Sequence, residues 1–218
     1  MAMSEKGYHV CTTGADGLLC VWDLRKLKAL ATVPLTANGS ASRALAMDDS
    51  GTYVVAGAGN ETTNRLIGWA GKVLAEHPEQ RRDLVRDPAL IPNAIEELLR
   101  YESPAPYIGR YVSRDVEVLG QRIPEGSAML FVIASANRDE ARFPDGDRFD
   151  VHRKVGQHFT FGYGTHFCLG AALARLEGRV ALEEILKRFP DWEVDRENAK
   201  LASTSTVRGW ETLPTFVS

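Results

Sequence analysis

The sequence predicts a mainly α chain with small β-sheets, preceded by a short antiparallel β segment. Three observations carry this expectation. About the first fifty residues alternate short β-rich runs with Asp-Gly and Ser-Gly turns. After Asn60, apolar residues recur at helical spacing. A glycine-rich loop containing Cys168 then leads directly into an amphipathic stretch.

The β-rich runs are YHVCTT, LLCVWDL, ALATV, SRALAM and TYVVAGA, separated by Gly-Ala-Asp-Gly, a Ser/Asn/Gly loop and Asp-Asp-Ser-Gly. They read as a meander of hairpins. DGLLCVWDLRK followed by DDSGTYVVAGAG, with Trp22-Asp23 as a WD dipeptide, resembles one blade of a WD-repeat β-propeller and the start of the next. A blade buries its faces only against neighbouring blades, and a propeller needs roughly four to eight of them. A single blade is therefore expected to pack elsewhere or stay poorly ordered, with strand edges in residues 1–52 open to another chain or a second copy.

Farther along, Thr63, Leu66, Ile67, Ala70 and Leu74 fall on one stripe and predict a helix. Ile95, Leu98 and Leu99 mark a second helix, with Pro92 suited to its first turn. Two β-rich runs, 116–119 and 128–133, flank Pro124-Glu125-Gly126 and are expected to pair with each other. An irregular stretch over 136–164 leads to a helix from about Leu169 to Arg188. Leu169, Leu173, Leu176 and Val180 share one side of it, the side expected to meet the core.

Composition narrows the function classes. The 218 residues are 44% hydrophobic and 25% charged, ordinary for a soluble globular protein. A net charge of −3 without a basic block gives nothing to track a phosphate backbone or an anionic membrane, so no nucleic acid and no membrane are expected. No run of about 18 apolar residues could span a bilayer, and MAMSEKGYHV lacks the pattern of a secretory leader, so a cytoplasmic chain is expected. Cys11, Cys20 and Cys168 are odd in number and lack zinc-site spacing, so each is read as a separate thiol.

The most specific segment is Phe161-Gly162-Tyr163-Gly164-Thr165-His166-Phe167-Cys168-Leu169-Gly170, with the pattern F-x-x-G-x-x-x-C-x-G. Glycines bring backbone close to a flat ligand, and a cysteine near a helix N-terminus has its thiolate favoured by the helix dipole. Such a thiolate can bind iron. The four fixed positions arise by chance in roughly one chain in a thousand of this length. A buried structural cysteine, the bland alternative, leaves the glycines unexplained.

This loop resembles the haem-binding loop of the cytochrome P450 family, and the resemblance runs from about Tyr53 to Ser218 with further motifs in the family's order. It implies Cys168 as the axial iron ligand, with Phe161, Gly164 and Gly170 shaping the loop against the haem. Ala58-Gly59-Asn60-Glu61-Thr62-Thr63 is similar to the distal helix motif, which implies Glu61 and Thr62 as a proton relay to dioxygen; read alone, a threonine pair there is a helix cap. Glu97-Leu98-Leu99-Arg100 is similar to the family's E-x-x-R, whose spacing puts both charges on one helical face. In the family that pair is buried and completed by an arginine of the irregular stretch, which implies Arg148 within Phe143-Pro144-Asp145-Gly146-Asp147-Arg148-Phe149. Arg110 and His166 match positions that pair with the haem propionates, as suits two cations facing two carboxylates.

The resemblance thus implies a partial P450-like fold over residues 53–218, behind the WD-repeat-like segment 1–52, with haem b (iron protoporphyrin IX) as cofactor. The implied activity is that of a haem-thiolate monooxygenase: the thiolate pushes electron density toward the iron to favour O–O cleavage, and a small lipophilic substrate is oxidised. Reducing equivalents would come from a ferredoxin-type donor fed by NAD(P)H. Residues 50–57 read as a propeller strand from one side and as helix from the other, which points to a join near Thr52 and to a missing first half of the fold. Two further readings stay open: a catalytically inactive truncated or chimeric protein, and a β-propeller-type interaction module.

Overall fold

The computed structural model describes the backbone of strands in residues 2–57 and all of residues 59–203 and 207–217, with side chains from residue 61 onward. Two units make up the chain, Met1–Glu61 and Thr62–Ser218. In the first, β1 (Ala2–Met3), β2 (His9–Thr13), β3 (Leu18–Asp23) and β4 (Lys28–Pro34) form an antiparallel sheet in that order. The expected meander is therefore present, built from the β-branched and aromatic runs that favour a pleated surface. A second antiparallel pair joins β5 (Ala44–Met47) to β6 (Val54–Gly57). Of residues 50–57, those described follow the strand reading: β6 ends at Gly57, and helix begins only at Gly59. The Asp-Gly and Ser-Gly turns, Ala58 and the expected join near Thr52 lie outside the described residues.

Four of the helices of the second unit surround its core. They are α1 (Gly59–Glu76), α2 (Pro78–Arg86), α3 (Ile91–Tyr101) and α5 (Ala171–Arg188), with the short α4 (Ile133–Ala136) preceding the irregular segment. Proline sits in the first turn of α2 and of α3, where a missing N–H costs nothing. The predicted stripe of α1 is buried at Thr63, Leu66, Ala70 and Leu74, with Ile67 half-buried. Ile95, Leu98 and Leu99 of α3 join it in one cluster with Leu84, Phe149, Val151, Leu182, Leu186 and Trp192. Each such side chain contributes about 1.5–3 kcal/mol of burial free energy. Arg81 closes the far end of this core, buried, stacked 4.4 Å above the Trp192 ring and donating to Trp192 O at 2.8 Å.

The core face of α5 differs from the one expected. Leu169, just ahead of the helix, is 77% exposed, and Leu173, Leu176 and Val180 are 54%, 49% and 45% exposed. The helix instead buries Ala171, Gly178, Leu182 and Leu186. Small residues decide this: a Cβ on Gly178 would stand 3.1 Å from a Leu66 methyl and 3.4 Å from one of Ile95. The missing Cβ lets α1 and α3 approach, and the packing gained outweighs the roughly 1 kcal/mol that glycine costs mid-helix.

The small sheets also pair differently. β8 (Val116–Val118) pairs with β9 (Gln121–Ile123), and β10 (Ala128–Phe131) pairs with β7 (Ile108–Tyr111). The cause is a two-residue turn at Leu119-Gly120, both at positive φ, which closes the first hairpin before the second run is reached. Two further pairs were not expected: β11 (Trp192–Val194) with β14 (Thr215–Val217), and β12 (Lys200–Leu201) with β13 (Trp210–Thr212). Indole donors tie this region to α1, Trp192 Nε1 to Gly71 O at 2.8 Å and Trp69 Nε1 to Arg208 O at 3.1 Å. Among the described residues no helix is long and apolar enough to cross a membrane.

Candidate functional site

The Cys168 loop is closed by its own backbone. Gly162 N–H donates to Phe159 O at 2.8 Å, Phe167 N–H to Gly164 O at 2.9 Å, and Cys168 N–H to Phe161 O at 2.8 Å. Gly162 and Gly164 stand at φ +75 and +66, where a side chain is strained, and a Cβ at Gly162 would also press on His166 O at 3.3 Å. Gly170 caps α5 and lies against the cysteine, its would-be Cβ 3.9 Å from Sγ. The loop thus delivers Cys168, a free and exposed thiol, to the N-terminus of an 18-residue helix.

Whether these residues suit a haem can be tested on the donor set and its surroundings. Among the described residues no three His, Cys, Asp or Glu side chains gather to hold a metal ion, so Cys168 is a single donor. Tyr163, Phe167, Leu169 and Leu173 are exposed around it and along the helix. A lone thiolate amid apolar side chains fits an iron whose other ligands come from a flat, apolar macrocycle. The residues present fit the group.

Behind the loop lies the E-x-x-R pair of α3, fully buried. Arg100 Nε and Nη2 reach the two Glu97 oxygens at 2.7 and 2.9 Å. Its other N–H groups donate to Asn137 O and Gly146 O, both at 2.8 Å, and to Arg148 O at 3.2 Å. The third cation is Arg153, not Arg148. Arg153 Nε lies 3.2 Å from Glu97 Oε1 and its side chain is 13% exposed, whereas that of Arg148 is 68% exposed and faces Asp150 at 3.6 Å. The segment turns so that the Arg148 carbonyl, held by both Arg100 and Arg153, joins the cluster in place of its side chain.

Gly146 makes this turn possible, since a Cβ there would stand 2.4 Å from Arg138 O. Gly146→Ala is expected to destabilise the chain by about 1–3 kcal/mol through overpacking against backbone. Urea denaturation monitored by circular dichroism measures it.

Two linkers between α3 and the loop escaped sequence reasoning. Asn137, fully buried, donates from Nδ2 to Ser103 Oγ and Thr160 Oγ1, both at 2.9 Å, and accepts Phe159 N–H at 2.7 Å. Glu96 accepts a bidentate pair from Arg175 of α5, at 2.6 and 2.9 Å, and the buried His158 Nε2 at 3.1 Å. Neither carries a sequence signal, because single asparagines and E/R pairs are usually solvated.

Burial alone would push the Glu96 carboxyl up, but hydrogen bonds from His158 and Arg175, with the Arg175 charge, outweigh it and hold the group at about 2. A folded-state value below the ordinary 4.5 means the carboxylate's contribution is complete above pH 4.5 and is lost as pH falls toward about 2. Glu96→Gln should therefore flatten the stability curve across that window, a difference that urea midpoints at stepped pH resolve.

The remaining expected residues lie on β7, the Cys168 loop and α1. Arg110, in β7, is exposed and donates to Gly109 O at 2.9 Å. His166 is exposed in the 3-10 turn Gly164–His166. Neither forms an ion pair with an acid among the described residues. Glu61, exposed, and Thr62, half-buried, occupy the first turn of α1. Phe161 is buried with its ring 6.3 Å from that of Phe167.

The site is thus an exposed thiol at a helix N-terminus in a glycine-shaped loop, with Glu97, Arg100 and Arg153 clustered on α3 and the segment before the loop. The family model described as Cytochrome P450 matches residues 73–214, and the chain belongs to the cytochrome P450 family. It is 42% identical over 158 residues to cytochrome P450 CYP107DY1 of Priestia megaterium, covering 72% of this chain and 38% of that one. It is 40% identical over 178 residues to the 20-oxo-5-O-mycaminosyltylactone 23-monooxygenase of Streptomyces fradiae, covering 81% and 42%. The fold is similar to the crystal structure of P450BioI in complex with hexadec-9Z-enoic acid ligated acyl carrier protein, with TM-score 0.70, 38% identity, and 74% and 42% coverage. The chain spans about two fifths of the length of the curated relatives it matches.

Proposed function

We propose that this chain supplies the thiolate side of a P450 monooxygenase site, holding haem b through Cys168. The observation that supports this is the free, exposed Cys168 thiol at the start of α5, fixed by loop hydrogen bonds on both sides. When bound, the haem supplies dioxygen activation and oxidation of a C–H bond. The chain's own residues do the rest. The closed loop keeps the sulfur from turning away. Phe167 and Leu169 give the sulfur apolar neighbours, and Gly164 leaves the backbone free to lie close to a flat ring. Arg110 and His166 are the residues that would hold the haem carboxylates. Glu61 and Thr62 hold and pass a proton at the first turn of α1.

Electrons come from a ferredoxin-type donor fed by NAD(P)H, and the substrate is a small lipophilic molecule, a reading supported by the hexadec-9Z-enoic acid in the P450BioI complex. The setting is cytoplasmic. Residues 1–52 form a WD-repeat-like segment, a reading supported by the four-stranded antiparallel order and by Trp22-Asp23 at the end of β3, with outer strands that pair with another chain.

The test is the reduced, carbon monoxide-bound spectrum of the purified chain after addition of haem. The red-shifted Soret band of a thiolate ligand is expected, lost in Cys168→Ala together with at least tenfold of haem affinity (roughly 1.4 kcal/mol). Equal haem binding by both proteins, without that band, would falsify the assignment.

A further inference from the structure

Glu96, His158 and Arg175 come from three different segments, α3, the stretch before the loop, and α5; Glu96 holds the other two, and those two meet the ring of Phe161. The Arg175 guanidinium is held in plane by both Glu96 oxygens, at 2.6 and 2.9 Å, and its carbon lies 4.5 Å from the Phe161 ring centroid. His158 stacks against the same ring at 5.8 Å. Thr160 N–H donates to His158 Nδ1 at 3.3 Å, which leaves Nε2 to donate to Glu96 at 3.1 Å. Phe161 in turn offers the carbonyl that receives the Cys168 N–H at 2.8 Å.

We propose that Arg175 is a positioning residue for Cys168: its fork, fixed by Glu96, pins the Phe161 ring and with it the peptide that fixes the cysteine. The role of Cys168 itself rests on the haem-thiolate reading above; the clamp on the loop does not. Arginine is required rather than any cation. A guanidinium can give two N–H groups to the two Glu96 oxygens while its carbon stays over an aromatic ring, and a lysine keeps the charge without the fork. Its contact with the loop is through the Phe161 ring, and its charge also acts directly on Cys168.

The test uses the full chain without haem and with it. Without haem, hydrogen exchange of the Gly162 and Cys168 amides is followed in wild type, Arg175→Lys, Arg175→Gln and Glu96→Gln, with the core amides of α1 and α2 as internal reference. About tenfold faster loop exchange is expected in Arg175→Gln, and most of that rise in Arg175→Lys, while the reference amides change less than twofold. Arg175→Lys keeps an ion pair to Glu96, so it folds even where Arg175→Gln does not. With haem, the same variants are expected to lose part of the thiolate-type Soret band of the carbon monoxide complex. Unchanged loop exchange in both Arg175 variants overturns the proposal, as does acceleration spread evenly over loop and reference amides. A wild-type chain that takes up no haem overturns the reading of Cys168 and leaves the exchange result to decide the clamp.

Discussion

Replacing Arg100 with alanine is expected to cost about 3–5 kcal/mol and to leave the chain without a cooperative unfolding transition. The side chain makes five hydrogen bonds, two to Glu97 and three to the carbonyls of Asn137, Gly146 and Arg148. Truncation leaves a fully buried Glu97 carboxylate facing only Arg153 and the Asp150 N–H, at 3.2 and 3.0 Å. Stripping a buried charge of its main partner costs a large part of the 5–15 kcal/mol that a domain has to lose. Arg153→Ala should fall in between, about 1.5–3 kcal/mol, because its carbonyl partners at Pro144 and Asp145 lie near solvent. Arg148→Ala should stay within about 0.5 kcal/mol, since its carbonyl remains and its side chain is exposed. Urea denaturation of the three variants ranks them, and an Arg148→Ala as damaging as Arg153→Ala would count against the assignment of the third cation.

That ranking shows where the sequence was readable and where it stopped. Glu97 and Arg100 could be paired from spacing alone, because three residues of helix put both on one face whatever packs against it. Arg148 and Arg153 sit five residues apart in a segment without periodicity, and nothing local says which of them turns inward. The answer depends on Gly146 fitting against Arg138 O, a contact across eight residues of irregular chain. The Cys168 loop was legible for the opposite reason: its glycines, its cysteine and the cap of α5 are all local requirements. Along α5 itself, two stripes are apolar. Periodicity marks the larger leucines, but close approach to α1 and α3 selects the face with Ala171 and Gly178. The pairing of β10 with β7 in place of β8 likewise follows from the tight turn at Leu119-Gly120, an exposed leucine in a conformation leucine rarely adopts.

The loop is also held from α3 through Asn137, and removing that side chain should be the most damaging neutral substitution near the site. Asn137→Ala is expected to cost about 2–4 kcal/mol: the Phe159 N–H loses its acceptor in a closed site, and the cavity cannot collapse around two hydroxyls. Asn137→Asp separates hydrogen bonding from volume. The acid keeps an acceptor for Phe159 N–H, but Ser103 and Thr160 already donate their hydroxyl protons to Leu99 O, at 3.1 and 2.7 Å. A carboxylate oxygen would then face two hydroxyl oxygens with no proton between them, in a position with no solvent access. Its folded-state pKa must rise above the unfolded value, so the penalty is full at neutral pH and shrinks as pH falls and the carboxyl protonates. The expected pattern is a loss at pH 7 at least as large as that of the alanine variant, partly recovered near pH 5. Equal stability of Asn137→Asp and wild type at pH 7 would mean that the Asn137 amide does not bridge Ser103 and Thr160. In that case Arg100, through its bond to the Asn137 carbonyl, would be the link from the buried cluster of α3 to the cysteine loop.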